Sequence, residues 1–301
     1  MSSLRLAVDD YLTMRRALGF KLEGAGFALR SFVAFAQCED AEFITTELAL
    51  RWATSPAHAQ PHRWTSRLGV VRRFARHHHA ADPRTEIPPD GLLRHPYRRK
   101  KPYIYSDEET DKLLAAARSL PSKRGLRGQT YSTVFSLLAA TGLRLGEVLG
   151  LDREDVDLLV GVLTIRRAKF GKTRYVPVHD TTCRALDAYA RARDCTFPDL
   201  QTRAWFVSER RMRITKGAAE RTFRSVSQHV GLRERIDGRF PRLHDFRHGF
   251  AVRTLLAWYR TGIDVERKMV YLATYLGHVE IRDTYWYMPS VPTSVRHLTT
   301  Q

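Results

Sequence analysis

The chain of 301 residues contains three cysteines, Cys38, Cys183 and Cys195, far apart and without a CxxC pair. An odd number at such spacing excludes a disulfide framework, suggests no zinc site, and fits free thiols in a reducing cytosol. Long apolar runs are also missing: no stretch approaches the ~20 residues that cross a bilayer. Asp9 and Asp10 stand where a secretory leader would be apolar. The expectation is a cytoplasmic protein without a membrane partner. Internal repeats and low-complexity tracts are absent. Acidic residues are few beside basic ones, 32 against 50, which gives a formal charge of +18 and a pI near 10.3. Such an excess points to a polyanionic partner, because neutralising phosphates releases their counterions. Residues 1–104 hold 17 Lys+Arg against 10 Asp+Glu, leaving 33 against 22 for the rest, so the charge is no mere basic tail.

What is present suffices for two cores: 43% of the residues are hydrophobic. Residues 1–82 read as a helical unit, with helices expected around 3–18, 22–37 and 46–54 and a clearer one opened by Pro61 and carrying Trp64, Leu68, Val71, Phe74 and His78 at helical spacing. Residues 83–104 hold five of the 13 prolines and the string HPYRRKKPYIY, the composition of a linker. Its Arg98, Arg99, Lys100 and Lys101 are a solvated charge run or a strap along a nucleic-acid backbone, and the basic flanks favour the strap. Ser106 and Glu109 make a capping box that opens a second domain, 105–301. There the pattern predicts helices to about Arg118, from Gln129 to Gly150, and at about 181–193, 216–230, 243–260 and 265–276. VLTI at 162–165 and RYVPV at 174–178 predict a hairpin, with Pro177 on an edge or bulge. The expected fold is mainly α with a small β-sheet.

Two arginines, a lysine, two histidines and a tyrosine are scattered through this second domain in an order that suits metal-free cleavage of a phosphodiester. Arg144 and Glu147 are three apart, so one helical face lets the carboxylate orient the guanidinium. His244 and Arg247 repeat that spacing. Lys169 lies at the expected hairpin tip, with Lys172 and Arg174 beside it as basic residues for DNA. His278 follows Gly277, at a helix end where its ring is expected to be exposed. Tyr287 stands nine residues on, with Tyr285 as its rival. Arginine forks clamp phosphate oxygens, lysine and histidine move protons, and a tyrosine oxygen can attack phosphorus. Each residue alone has a commoner meaning: a surface ion pair, a basic patch, a solvated lysine, a capping histidine, a core aromatic.

Their joint order resembles the tyrosine recombinase (phage-integrase) family. TGLRLGE at 141–147, HDFR at 244–247, LGH at 276–278 and Tyr287 match its boxes with the expected spacing. The resemblance covers about 105–290; the helical first segment is similar in size and position to the family's SAM-like core-binding domain. Phe246 departs from the usual leucine, on a side expected to be buried. TYWYMP at 284–289 is similar to recombinases carried by transposons and other mobile elements. Only 14 residues follow Tyr287, too few and too proline-interrupted for a long docking helix.

The resemblance implies that Tyr287 attacks the scissile phosphate to give a 3′-phosphotyrosyl link, without metal or other cofactor. It implies further that Arg144 and Arg247 clamp the phosphate, Lys169 protonates the leaving oxygen, His244 assists at the tyrosine, His278 donates to the phosphate, and Glu147 supports from behind. The implied partner is double-stranded DNA, with a homo-tetramer on two duplexes, alone or with partner recombinases. Two alternatives stand beside this: a type IB topoisomerase, and a DNA-binding accessory protein that no longer cuts.

Overall fold

A computed structural model describes residues 3–93, 102–166, 173–232 and 241–290. The chain divides into two compact units, Met1–Lys100 and Lys101–Gln301. In the first, four helices, α1 (Ser3–Ala17), α2 (Glu23–Cys38), α3 (Thr46–Thr54) and α4 (Pro61–His78), enclose one core. Leu4, Val8, Leu12, Phe32, Trp52, Leu68, Val71 and Phe74 fill it, the inward stripes that the apolar spacing predicts. Gly19, at φ 87°, turns the chain after α1. The first half of the stretch read as linker is folded onto this unit. Arg72 donates to the carbonyls of Pro88 (2.6 Å) and Pro89 (2.7 Å), and the Glu86 amide donates to Ile44 O (2.7 Å). Arg98, Arg99, Lys100 and Lys101 lie outside the described residues.

The second unit begins with α5 (Asp107–Arg118), whose N-terminus carries the expected box: Ser106 Oγ accepts from the Glu109 amide and Glu109 accepts from the Ser106 amide. α5 packs on α6 (Arg127–Thr141) at Gly128, where an added Cβ would lie 2.1 Å from the carbonyl of Arg118. The helix expected over Gln129–Gly150 is two helices. α6 stops at Gly142, which adopts φ 63°, and a short α7 (Leu145–Gly150) follows. Any side chain at 142 would meet the Phe250 ring at 2.6 Å, so glycine is required by both conformation and space.

Three short antiparallel strands follow in the order β1 (Val156–Asp157), β2 (Val162–Ile165), β3 (Arg174–Pro177), with Val162 opposite Pro177 and Ile165 opposite Arg174. Pro177 therefore sits on an edge strand, where its missing N–H costs nothing. Helices α8 (Asp180–Thr196), α9 (Lys216–His229), α10 (Leu243–Arg260), α11 (Val265–Leu276) and the one-turn α12 (Arg282–Tyr285) complete the unit. His179 rather than Asp180 is the N-cap of α8, its ring accepting from the Thr181 amide. Phe246 is buried against Tyr105 (ring centroids 4.5 Å apart) and Phe223 (5.9 Å), which anchors α10 to α9 and to the irregular segment before α5. The described residues are thus mainly helical with one small sheet.

Candidate active site

The C-terminal end of α11 organises the site. The last carbonyls of a helix lack partners and form its negative pole. Here three consecutive ones each receive an arginine. Arg174 Nε donates to Tyr275 O (2.9 Å), Arg247 Nη2 to Leu276 O (2.7 Å) and Arg144 Nη2 to Gly277 O (3.1 Å); Arg144 Nη1 also reaches Leu276 O at 3.4 Å. These arginines come from β3, α10 and the start of α7, so one helix end gathers three distant segments. Gly277 closes α11 at φ 68°, and a Cβ there would lie 2.8 Å from Arg174 Nη1.

Arg144 does not ride inside a helix, as its spacing to Glu147 alone suggests. The break at Gly142 makes it the N-cap residue of α7, with Glu147 at N3: Glu147 Oε2 accepts from the Arg144 amide (2.9 Å) and Oε1 from its Nη1 (2.9 Å). The pairing survives as one half of a capping box: the N3 carboxylate accepts from the N-cap amide, and the guanidinium, which has no acceptor, donates to the same carboxylate. Arg247 is 1% exposed, and its Nη1 donates to Gly142 O (2.9 Å). Burial pushes its guanidinium down from the ordinary value, with the neighbouring Tyr287 opposing. It stays protonated.

Tyr287 is 3% exposed and belongs to the core cluster that includes Val252, Leu255, Met269 and Leu276. Its ring lies 6.0 Å from that of His278, nearly parallel, and 5.3 Å from that of His248. Tyr285, 42% exposed, is turned to solvent, which separates the two tyrosines. His278 is half-buried rather than exposed, because Thr284 Oγ1 holds its Nδ1 at 2.7 Å. Lys169 and Lys172 lie outside the described residues. Arg174, read as a basic residue for DNA, is turned inward. Its side chain is 12% exposed, and Nη1 and Nη2 grip the two carboxylate oxygens of Glu147 at 3.1 and 2.8 Å.

Sequence reasoning passed over two neighbours. His248, one turn after His244 on α10, packs edge-on against His244 at 5.0 Å and against Tyr287; its i+4 spacing in HDFRHGF was the available signal. Thr284 had none. Among the described residues no cluster of three or more His, Cys, Asp or Glu could hold a metal.

The site is strongly cationic for its depth. Burial, then the charge of Arg247, holds His244 and His278 down to about 4; burial and the neighbouring His244 do the same to His248. All three imidazoles are therefore neutral at pH 7. Glu147 goes the other way: burial would raise its carboxyl, but the two arginines hold it below its ordinary value and charged.

A stability prediction follows from the histidines. Unfolded imidazoles titrate near ~6.5, so between that pH and about 4 the unfolded chain binds more protons than the folded one. Stability is lost as pH falls through this window. The thermal midpoint is expected to be level from pH 8 to 7 and to drop by pH 5.5, with a shallower drop for His248→Gln. An unchanged midpoint at pH 5.5 contradicts the neutral buried histidines.

A helical unit followed by a mixed unit with Arg144 and Arg247 on one helix end and Tyr287 beside His278 defines a class that the comparisons identify. Residues 104–292 match the model of the phage integrase family, and the chain belongs to that family, the tyrosine recombinases. A Sinorhizobium fredii protein named as an integrase/recombinase, y4rB, is 47% identical over 296 residues, covering 97% of this chain and 94% of the relative. The tyrosine recombinase XerD of Caulobacter vibrioides is 29% identical over 307 residues, covering 99% and 92%. Among solved structures, the Tn1549 transposon integrase in complex with transposon right-end DNA has a TM-score of 0.66 at 14% identity, over 97% of each chain. A lambda integrase dimer bound to a core site has a TM-score of 0.64 at 19% identity, over 94% of this chain and 76% of that one. These two show the fold.

Proposed function

We propose that the chain is a site-specific DNA recombinase that cuts and rejoins strands through a 3′-phosphotyrosyl intermediate, serving integration or transposition of a mobile element. The observation that carries this reading is the gathering of Arg247 and Arg144 on the Leu276 carbonyl with Tyr287, its ring beside those of His278 and His248, in one buried site.

In this reading Tyr287 Oη forms a bond to phosphorus while the bond from phosphorus to the 5′-oxygen breaks. The phenol proton passes to His244, which is neutral and can accept it. The 5′-oxygen leaves with a proton from Lys169. Attack by the 5′-hydroxyl of a partner strand reverses the step and rejoins the DNA, and the ester conserves the bond energy throughout. A guanidinium has five N–H groups; Arg144 directs three contacts to Glu147, Leu276 O and Gly277 O, which leaves donors for a non-bridging oxygen. Arg247 supplies the second half of the clamp. In this reading the Thr284 hydroxyl, 2.7 Å from His278 Nδ1, donates to it, and the ring proton on Nε2 is then the one offered to phosphate. Because these donors are fixed before the substrate arrives, they stabilise developing charge without reorganising.

The partner is double-stranded DNA, consistent with the +18 charge. Exchange between two duplexes calls for four copies of the chain, each supplying one tyrosine. The aromatic TYWYMP segment and the integrase/recombinase relative favour a mobile element over chromosome maintenance. The test is a nicked duplex carrying the ends of the DNA element that encodes the chain, incubated in EDTA and run on a denaturing gel. A protein–DNA adduct is expected. Binding without any adduct, on every end and half-site tried, refutes cleavage by this chain and favours an accessory role.

A further inference from the structure

Arg174 stands outside every role given to the reacting residues, yet three side-chain hydrogen bonds anchor it beside them. Its fork meets both oxygens of Glu147 in parallel, the strongest geometry open to this pair. Its Nε is fixed on Tyr275 O, and its guanidinium fills the space over Gly277 that any larger residue would occupy. Glu147 in turn holds the Arg144 amide and Nη1. Without Arg174, the carboxylate would face burial with one partner fewer and could rotate toward Arg144 or solvent. With it, each carboxylate oxygen accepts one bond from each arginine, which fixes the carboxylate plane and so the direction in which Arg144 presents its remaining N–H groups.

We propose that Arg174 is a positioning residue of the active site: through Glu147 it sets the orientation of the Arg144 guanidinium on the scissile phosphate, and it is not a contact of the DNA backbone. The inference rests on the recombinase reading above. Charge alone does not suffice for this role. Lysine keeps the charge but cannot bridge two oxygens and a carbonyl at once, so Arg174→Lys loses the function while retaining the fold's electrostatics.

Two measurements on the full-length protein separate the possibilities. Half-site DNA binding by gel shift reads contact with DNA. Single-turnover cleavage of a nicked duplex reads the chemistry, on an ordinary scissile phosphate and on a methylphosphonate that lacks the non-bridging negative charge. Removing that charge makes the arginine clamp less necessary, so the deficit of Arg144→Ala is expected to shrink on methylphosphonate. Arg174→Lys is expected to bind within about twofold of wild type, to cleave the phosphate about 30-fold more slowly, and to recover most of that deficit on methylphosphonate. A residue that merely holds the fold would be slow on both substrates. Glu147→Gln provides a second route to the same coupling: the Glu147→Gln, Arg174→Lys double variant should cleave no more slowly than the slower single one.

The proposal is overturned if Arg174→Lys weakens binding as much as cleavage, if it cleaves at the wild-type rate, if its deficit is unchanged on methylphosphonate, or if the two losses multiply in the double variant. Failure of the recombinase reading has a different signature, since wild type would then form no adduct and Arg144→Ala would change nothing.

Discussion

Replacing Tyr287 by phenylalanine is expected to abolish the covalent protein–DNA adduct, a loss of at least ~10⁴-fold, as for removal of an enzyme's nucleophile, while DNA binding stays near wild type. The asymmetry follows from where the hydroxyl lies. The ring is buried in the core cluster that includes Val252, Leu255, Met269 and Leu276, and phenylalanine keeps that burial. What it removes is one oxygen, at Arg247. Tyr285→Phe is the matched control: its ring is turned to solvent, and the variant should form adduct at the wild-type rate. The measurement is the nicked-duplex assay on a denaturing gel beside a gel shift. A fully active Tyr287→Phe protein would remove Tyr287 from the reaction, and loss confined to Tyr285→Phe would transfer the role.

Much of this arrangement was legible in the sequence because it is local. The capping box at Ser106, the hairpin strands and the helices α9, α10 and α11 follow from spacings of two to four residues, and they carry His244 and Arg247 with them. The break between α6 and α7 was not read, although Gly142 stood in plain view. A single glycine within an apolar helical pattern costs only ~1 kcal/mol and is often tolerated, and the Phe250 ring that forbids a side chain there comes from more than a hundred residues away. Arg174 shows the same limit. Beside two lysines on a basic hairpin it reads as a DNA contact, and only the fold brings Glu147 and the Tyr275 carbonyl to it. The gathering of three arginines on the end of α11 could not be read either, because the acceptors are backbone carbonyls, which every residue has.

That use of backbone acceptors is why Arg247 should be the most demanding position after Tyr287. Its side chain is among the largest that are fully buried, and it joins the loop at Gly142 to the end of α11 through bonds of 2.9 and 2.7 Å. Arg247→Ala removes half of the proposed phosphate clamp, strands the Gly142 carbonyl beside a cavity, and leaves Leu276 O with only the longer bond from Arg144 Nη1. Loss of a preorganised charge-stabilising donor slows chemistry by about 10²–10³-fold, and each buried acceptor left unpaired costs about 1–3 kcal/mol. Cleavage should therefore fall by about 10²–10³-fold and the thermal midpoint should fall with it. Arg144→Ala should differ in kind: its side chain is 30% exposed, so water can reach the carbonyls it leaves, and cleavage should suffer with a small change in midpoint. Arg247→Lys decides between charge and geometry. Lysine keeps a positive charge, but a single ammonium cannot span Gly142 O and Leu276 O and still face the phosphate, so its cleavage should stay close to that of Arg247→Ala while part of the lost stability returns. Single-turnover cleavage and thermal unfolding of the three variants check this, and near-wild-type cleavage by Arg247→Lys would show that the site needs only the charge.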